Sequence, residues 1–275
     1  MAATDIPARD TRRTIAGMTK REWKNVVLVQ LGAIVEFYEF QVFGFFTVVL
    51  GGVFFAPAAA QWTRDLQAFG IFTLGFVIRP VGGIIIGHLG DRYGRKSLFV
   101  FTILLMSFAT IGIGVLPGYA TIGPAAALLL FALRSLQGIS AGGEGPGAGT
   151  FVSELVPGDR VGLASGVLYS GNLIGICLGG LIGALIMNFM TVEHINSYGW
   201  RIPFIFGGVI GMFVIFMRRN LDESPEFKAT RAANAVVKVP LLDVLRNYKL
   251  AIVLVAVNIG WFSVAQTIIN FYLPT

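Results

Sequence analysis

Seven long apolar stretches constrain this chain more than any other feature. They cover roughly residues 26–54, 66–89, 97–116, 122–150, 161–190, 199–217 and 250–273. Crossing the hydrocarbon core of a bilayer takes about 20 predominantly apolar residues. In that medium every backbone N–H and C=O must find its partner within the segment, so each stretch is predicted to be a helix. The fold class is therefore all-α, a polytopic helical membrane protein. Composition agrees. Only 13% of the residues are charged, about half the ~25% usual in soluble domains, and mean hydropathy is +0.74.

Several function classes drop out on the same reading. The single Cys177 excludes a disulfide framework within the chain. His88 and His194 lie far apart, and no Cys/His cluster has metal-ligand spacing. Neither a P-loop nor a dinucleotide fingerprint is present, so no enzyme activity, catalytic residue, metal or cofactor is predicted. The net charge of +6 does not imply a nucleic-acid partner, because the basic residues sit in loops beside apolar spans. A signal peptide is not expected either. Ala58-Ala59-Ala60 imitates a cleavage site, but the span before it is long and carries Glu36 and Glu39, so it reads as a retained helix.

Orientation follows from the basic residues. Seventeen of the 21 Lys and Arg residues fall in the tail 1–25, in the turn at 91–96, at Arg160 and in the segment 218–249. Arg64 and Arg201 stand on the other side, and Arg79 and Arg134 fall within spans. The tail is thus predicted to be cytoplasmic, in a plasma membrane. The domains read as a cytoplasmic tail (1–25), a six-helix bundle (26–217), a cytoplasmic linker (218–249) holding Pro225 and Pro240, and a seventh helix (250–275).

Ionisable residues inside spans cost about 2.5–3.5 kcal/mol each on insertion scales, so each is a functional candidate. Glu36 and Glu39 are three apart and share one helix face. Two carboxylates so close in a low dielectric repel, and one that bears a proton can carry it. Arg79 precedes Pro80, Gly82 and Gly83; it suits an anionic substrate or an ion pair with Glu36 or Glu39. Arg134, Gln137, Ser140 (or Ala141) and Glu144 recur every three or four residues and form one polar stripe. Such a stripe should face a water-filled cavity or another helix. Gly138, Gly142, Gly145 and Gly149 suit close helix contact, and Pro146 should bend the helix.

Between the second and third spans lies Gly87-His88-Leu89-Gly90-Asp91-Arg92-Tyr93-Gly94-Arg95-Lys96. An ordinary positive-inside loop needs Arg and Lys, but neither Asp91 nor three ordered glycines. This turn resembles the loop signature of the major facilitator superfamily. Glu-Phe-Tyr-Glu-Phe at 36–40, Arg79-Pro80 with Gly82-Gly83, Arg134 with Gln137-Gly138 and Gly142-Gly143-Glu144, Gly199-Trp200-Arg201 with Pro203-Phe204, and Leu221-Asp222-Glu223-Ser224-Pro225-Glu226-Phe227 resemble its metabolite:proton symporter branch. That branch includes carriers of citrate, other di- and tricarboxylates, shikimate, and proline or betaine. It commonly has Asp where this chain has Glu39. The fifth span resembles the antiporter helix signature, but Ile176 stands where antiporters place Pro, which favours symport.

The resemblance implies the major facilitator fold, two six-helix halves each built from inverted three-helix repeats. The chain matches the first half and the seventh helix, so a C-terminal half is the expected missing partner. The implied function is proton-coupled symport of a small organic solute, a carboxylate or a zwitterionic osmolyte, by alternating access in a bacterial inner membrane. The partners are that solute, protons and the lipid bilayer. Glu36, Glu39 and Glu144 are the implied proton-coupling residues. Arg79, Arg134, Gln137 and Tyr38 are the implied substrate contacts. Gly87, Gly90, Asp91, Arg92, Gly94, Arg95 and Lys96 form the implied gate, with Asp91 reaching the far half and Arg95 pairing with Glu154. The other readings are a fragment or assembly partner that does not itself transport, and a seven-helix receptor or light-driven pump. The latter would need a Lys midway along the seventh helix, and 250–273 contains none.

Overall fold

The computed structural model describes residues 15–232, 246–258 and 261. Two compact units divide the chain, Met1–Ala235 and Val236–Thr275. The second contains an apolar helix over Lys249–Asn258. Most of the expected seventh span, the linker residues 233–245 and the tail residues 1–14 lie outside the described residues.

The first unit is a helical bundle. Its elements are α1 (Lys20–Phe54), α2 (Gln61–Val77), α3 (Arg79–Tyr93), α4 (Arg95–Val115), the short α5 (Tyr119–Ile122), α6 (Ala125–Leu155), α7 (Val161–Phe189), the short α8 (Val192–His194), α9 (Arg201–Arg218) and α10 (Pro225–Ala232). The described residues contain six helices long and apolar enough to cross a membrane, with α2 and α3 acting as one span over Gln61–Tyr93. The first six of the seven expected spans are present.

Local chemistry explains where these helices start and stop. Thr19 caps α1: its hydroxyl accepts from Glu22 N at 3.2 Å, and its own N–H donates to the Glu22 carboxylate at 2.6 Å. At ~1.5 Å per residue, the 35 residues of α1 outrun the ~30 Å hydrocarbon core, so its first turns lie among polar groups. The second span breaks at Ile78, and Pro80 sits in the first turn of α3, where a missing N–H costs nothing. Gly94 alone joins α3 to α4, with φ of +100°, a conformation that favours glycine. The turn is tighter than the sequence suggested, and α4 begins at Arg95 rather than 97. Helix α6 runs through Pro146 without interruption.

Small residues let the backbones touch. A Cβ on Gly142 would strike the Arg79 carbonyl, and one on Gly82 would strike Ile139 O, so α3 and α6 cross backbone to backbone. On α7, Gly171, Gly175, Gly179 and Gly183 are buried and form a ridge that lies along α1 from Gln30 to Phe45. The aromatic core of Phe43, Phe46, Phe54, Trp200 and Phe204 fills the end of the bundle away from the Gly94 turn.

Candidate functional site

Two buried polar centres occupy the interior of the bundle. The first joins α1, α2, α3, α4 and α6. Arg79 Nη2 lies 3.2 Å from Glu36 Oε1, the ion pair that is one of the two readings the sequence left open. The Arg79 guanidinium also stacks on Phe40 at 4.3 Å and Phe76 at 4.9 Å. Arg134 is wholly buried and makes no ion pair with a carboxylate among the described residues. Three rings surround it instead: Phe40 at 4.3 Å, Phe43 at 4.2 Å and Phe72 at 5.3 Å. Phe40 thus lies against both guanidiniums, and cation–π attraction strengthens when the cation is desolvated.

The predicted stripe on α6 is real and faces helices α1 and α4. Arg134 Nη1 donates to Gln137 Oε1 at 3.0 Å. Gln137 Nε2 donates to Thr110 Oγ1 at 2.8 Å and, at 3.5 Å, to Glu39 Oε2. Ser140 donates to Thr102 O at 2.6 Å. Glu39 is 1% exposed. Its Oε1, Arg79 Nε and Arg134 Nε are buried with no hydrogen-bond partner among the described residues. Unfilled hydrogen-bonding capacity in a dry interior is costly. A ligand, a water or a proton at this centre would relieve it. Tyr38, an expected substrate contact, turns toward α9 instead. Its hydroxyl donates to Pro203 O at 2.8 Å, so it serves helix packing.

The second centre was not foreseen. Arg218 was counted with the linker cations, yet it ends α9 with 0% exposure. Its Nη2 lies 2.8 Å from Glu144 Oε1. Its nitrogens also donate to Leu28 O at 3.0 Å, Phe99 O at 3.1 Å and Val29 O at 2.8 Å. Thr102 donates to the other Glu144 oxygen at 2.9 Å. Gly32 makes room: a Cβ there would overlap both Arg218 and Glu144. The missed signal was a lone Glu144 in a span with no cation on its own helix face closer than Arg134, ten residues away.

The charged turn and the post-α9 segment meet at one end of the bundle. Arg95 Nη2 pairs with Asp91 Oδ1 at 3.1 Å, not with Glu154 as the resemblance implied. The i,i+4 register puts Asp91 within reach on the adjoining turn. The Glu223 carboxylate accepts from Arg95 N at 2.9 Å and from Lys96 N at 3.3 Å, supplying the anion that the α4 N-terminus favours. Asp222 accepts both Nε and Nη2 of Arg21 at 2.8 Å each, and Asn25 Nδ2 at 3.2 Å. The hydrogen bond from Arg21 holds the Asp222 carboxyl well below its ordinary range. Gly17 lies against Arg160 at the same end. Among the described residues of the first unit, Arg21, Arg95, Lys96 and Arg160, which the charge count assigned to one membrane face, share one end. Gly87 and Gly90 precede the turn on α3, and Gly90 is buried against Leu98; Arg92 stacks on Tyr93 at 5.4 Å.

Comparison with known proteins bears on this arrangement. The family described as Major Facilitator Superfamily matches residues 32–275. A putative proline/betaine transporter of Staphylococcus aureus is 37% identical over 257 residues, covering 93% of this chain and 55% of that protein. The proline/betaine transporter of Salmonella typhimurium is 38% identical over 205 residues, 74% of this chain and 41% of that protein. The inner membrane metabolite transport protein YhjE of Escherichia coli is 36% identical, covering 92% of this chain and 57% of that protein. The chain thus spans about half the length of the curated relatives it matches. Among solved structures, the partially occluded inward open xylose transporter XylE of E. coli superposes with a TM-score of 0.71 at 17% identity, over 81% of this chain and 52% of that one. At that identity the likeness establishes a shared fold.

Proposed function

Because the chain belongs to the major facilitator superfamily, we propose that it carries the N-terminal six-helix half of a secondary active transporter that moves a small carboxylate-bearing solute with protons. Its work is transport rather than bond-making chemistry. The names of its relatives in Staphylococcus and Salmonella favour a zwitterion of the proline or betaine kind within that class.

The observation that carries the reading is the first buried centre. Arg79 and Arg134 bring two guanidiniums against one ring, Phe40, and planar guanidinium forks suit carboxylates. Glu36 already occupies Arg79 at 3.2 Å, so an incoming carboxylate competes with an internal one. Glu39 has an unpartnered oxygen and is the carboxyl with room for a proton. Gln137 links Glu39 to Arg134, which gives proton and solute a shared set of contacts. Glu144 is tied to Arg218 and Thr102, so Glu36 and Glu39 are better coupling candidates than Glu144. The Asp91 turn serves as the gate, and the tail faces the cytoplasm of a bacterial inner membrane, as the distribution of basic residues favours.

The test is uptake of labelled proline and glycine betaine in cells without their own carriers. They would express the chain alone or joined to the C-terminal half of the Staphylococcus relative. Accumulation should follow an imposed inward proton gradient. Glu39→Gln should abolish accumulation while exchange across the membrane persists. Uphill uptake unchanged in Glu39→Gln, or uptake from neither form, would refute the proposal.

A further inference from the structure

At the end of the bundle remote from the Gly94 turn lies a cavity of about 760 Å³. It is walled by the last turns of α1, the first turn of α2, α5 and the approach to α9. Two of its lining residues are Arg64 and Arg201, the two basic residues that the charge count leaves on that side. No Asp or Glu lines it, and neither arginine forms an ion pair among the described residues.

Their donors are only partly used. Arg201 Nη1 donates to Gly114 O at 2.8 Å and Leu116 O at 2.9 Å, and its guanidinium lies 4.4 Å over Trp200. These contacts cap the C-terminus of α4 and leave the other guanidinium nitrogens available. Arg64 Nη2 donates to Gln61 Oε1, while Arg64 Nε is buried with no hydrogen-bond partner among the described residues. The rest of the wall includes Tyr119, Asn196 and Ser197. Helix α2 starts here from Ala60, which offers no side-chain cap, so its first N–H groups add positive potential. Two guanidiniums without an ion pair, a lining without Asp or Glu, a neighbouring Asp65 carboxylate engaged by Gln61 at 2.8 Å, and space for a small molecule together define an anion-accepting site.

We propose that this cavity binds the carboxylate of a small solute at the mouth of the bundle, separate from the Arg79–Arg134 centre. Arg64 and Arg201 grip the carboxylate, and Arg201 signals occupancy through Trp200. The assignment rests on the transport reading only for the choice of probes.

The experiment uses the purified chain in detergent at constant ionic strength, with Trp23, Trp62 and Trp261 changed to Phe so that Trp200 reports alone. Acetate and glycine betaine should each give a saturable change in Trp200 emission, and choline should give none. Arg64→Gln should weaken both responses by at least about tenfold, as expected for losing a charge-assisted hydrogen bond, and Arg64→Lys should retain part of the affinity. An equal response to choline, a response to inorganic phosphate but not acetate, no saturable response, or full affinity in Arg64→Gln would each overturn the site. Because no transport is measured, failure here leaves the transport proposal standing, and failure of uptake leaves this site standing.

Discussion

Removing Arg218 tests how the bundle holds Glu144, a charge with no partner on its own helix turn. Arg218→Met keeps a long apolar side chain but deletes the guanidinium. The three backbone carbonyls it serves sit in helices and keep their own i→i−4 partners, so their loss is minor. Glu144 fares differently. It is 5% exposed, its 2.8 Å ion pair disappears, and only Thr102 remains as donor. Breaking a buried pair by removing one partner costs about 3–5 kcal/mol, whereas replacing both partners with apolar groups is often neutral. Arg218→Met should therefore destabilise the chain by about 3–5 kcal/mol, and Arg218→Met with Glu144→Leu should recover most of that loss. Thr102 retains Phe99 O as an alternative acceptor at 3.3 Å in the double variant. Equilibrium unfolding in mixed micelles, followed by tryptophan fluorescence, measures all four corners of the cycle. Additive losses, with the double variant worse than Arg218→Met alone, would show that Glu144 does not depend on Arg218.

Three further outcomes follow from the geometry. Gly142→Ala drives a methyl into the Arg79 carbonyl and should cost about 1–3 kcal/mol, read as a lowered midpoint in the same unfolding assay, while Gly145→Ala, with open space around it, should not. Single cysteines at Ser97 and Asn196 in a Cys177→Ala background should react with an impermeant reagent from opposite membrane faces; labelling of both from outside intact cells would refute the orientation. The Asp222 carboxyl is held below its ordinary range by Arg21, so the folded state binds fewer protons there than the unfolded one. Its contribution is full above the ordinary Asp value of ~3.9 and is lost as pH falls below it. The pair is largely exposed on the Arg21 side, so Asp222→Asn should cost at most ~1 kcal/mol at neutral pH, and that difference should shrink on acidification.

How much could be read beforehand differs by residue. The stripe Arg134–Gln137–Ser140–Glu144 was visible because helical periodicity is a property of one segment. Its partners Thr102 and Thr110 were not, since a threonine in an apolar span carries no pattern that says which neighbour it will meet. Tyr38 looked like a substrate contact from its motif, yet packing against Pro203 on α9 uses its hydroxyl. Arg218 shows the limit most clearly. By position it is the first cation after a span, and a charge count assigns such residues to the surface.

The sequence by itself determined the first six spans, the shared end of Arg21, Arg95, Lys96 and Arg160, and some of the glycines on which helices close, Gly142 among them, whereas Gly145 meets open space. Each of these depends on hydropathy, charge or small size read along one stretch of chain, because a helix in lipid satisfies its own backbone. Tertiary structure alone decided that Glu36 goes to Arg79, that Glu144 goes to Arg218 across 74 positions of chain, and that Glu39 Oε1 finds no hydrogen-bond partner among the described residues. Such pairings turn on ångström distances between different helices, which only the packing of the whole bundle sets.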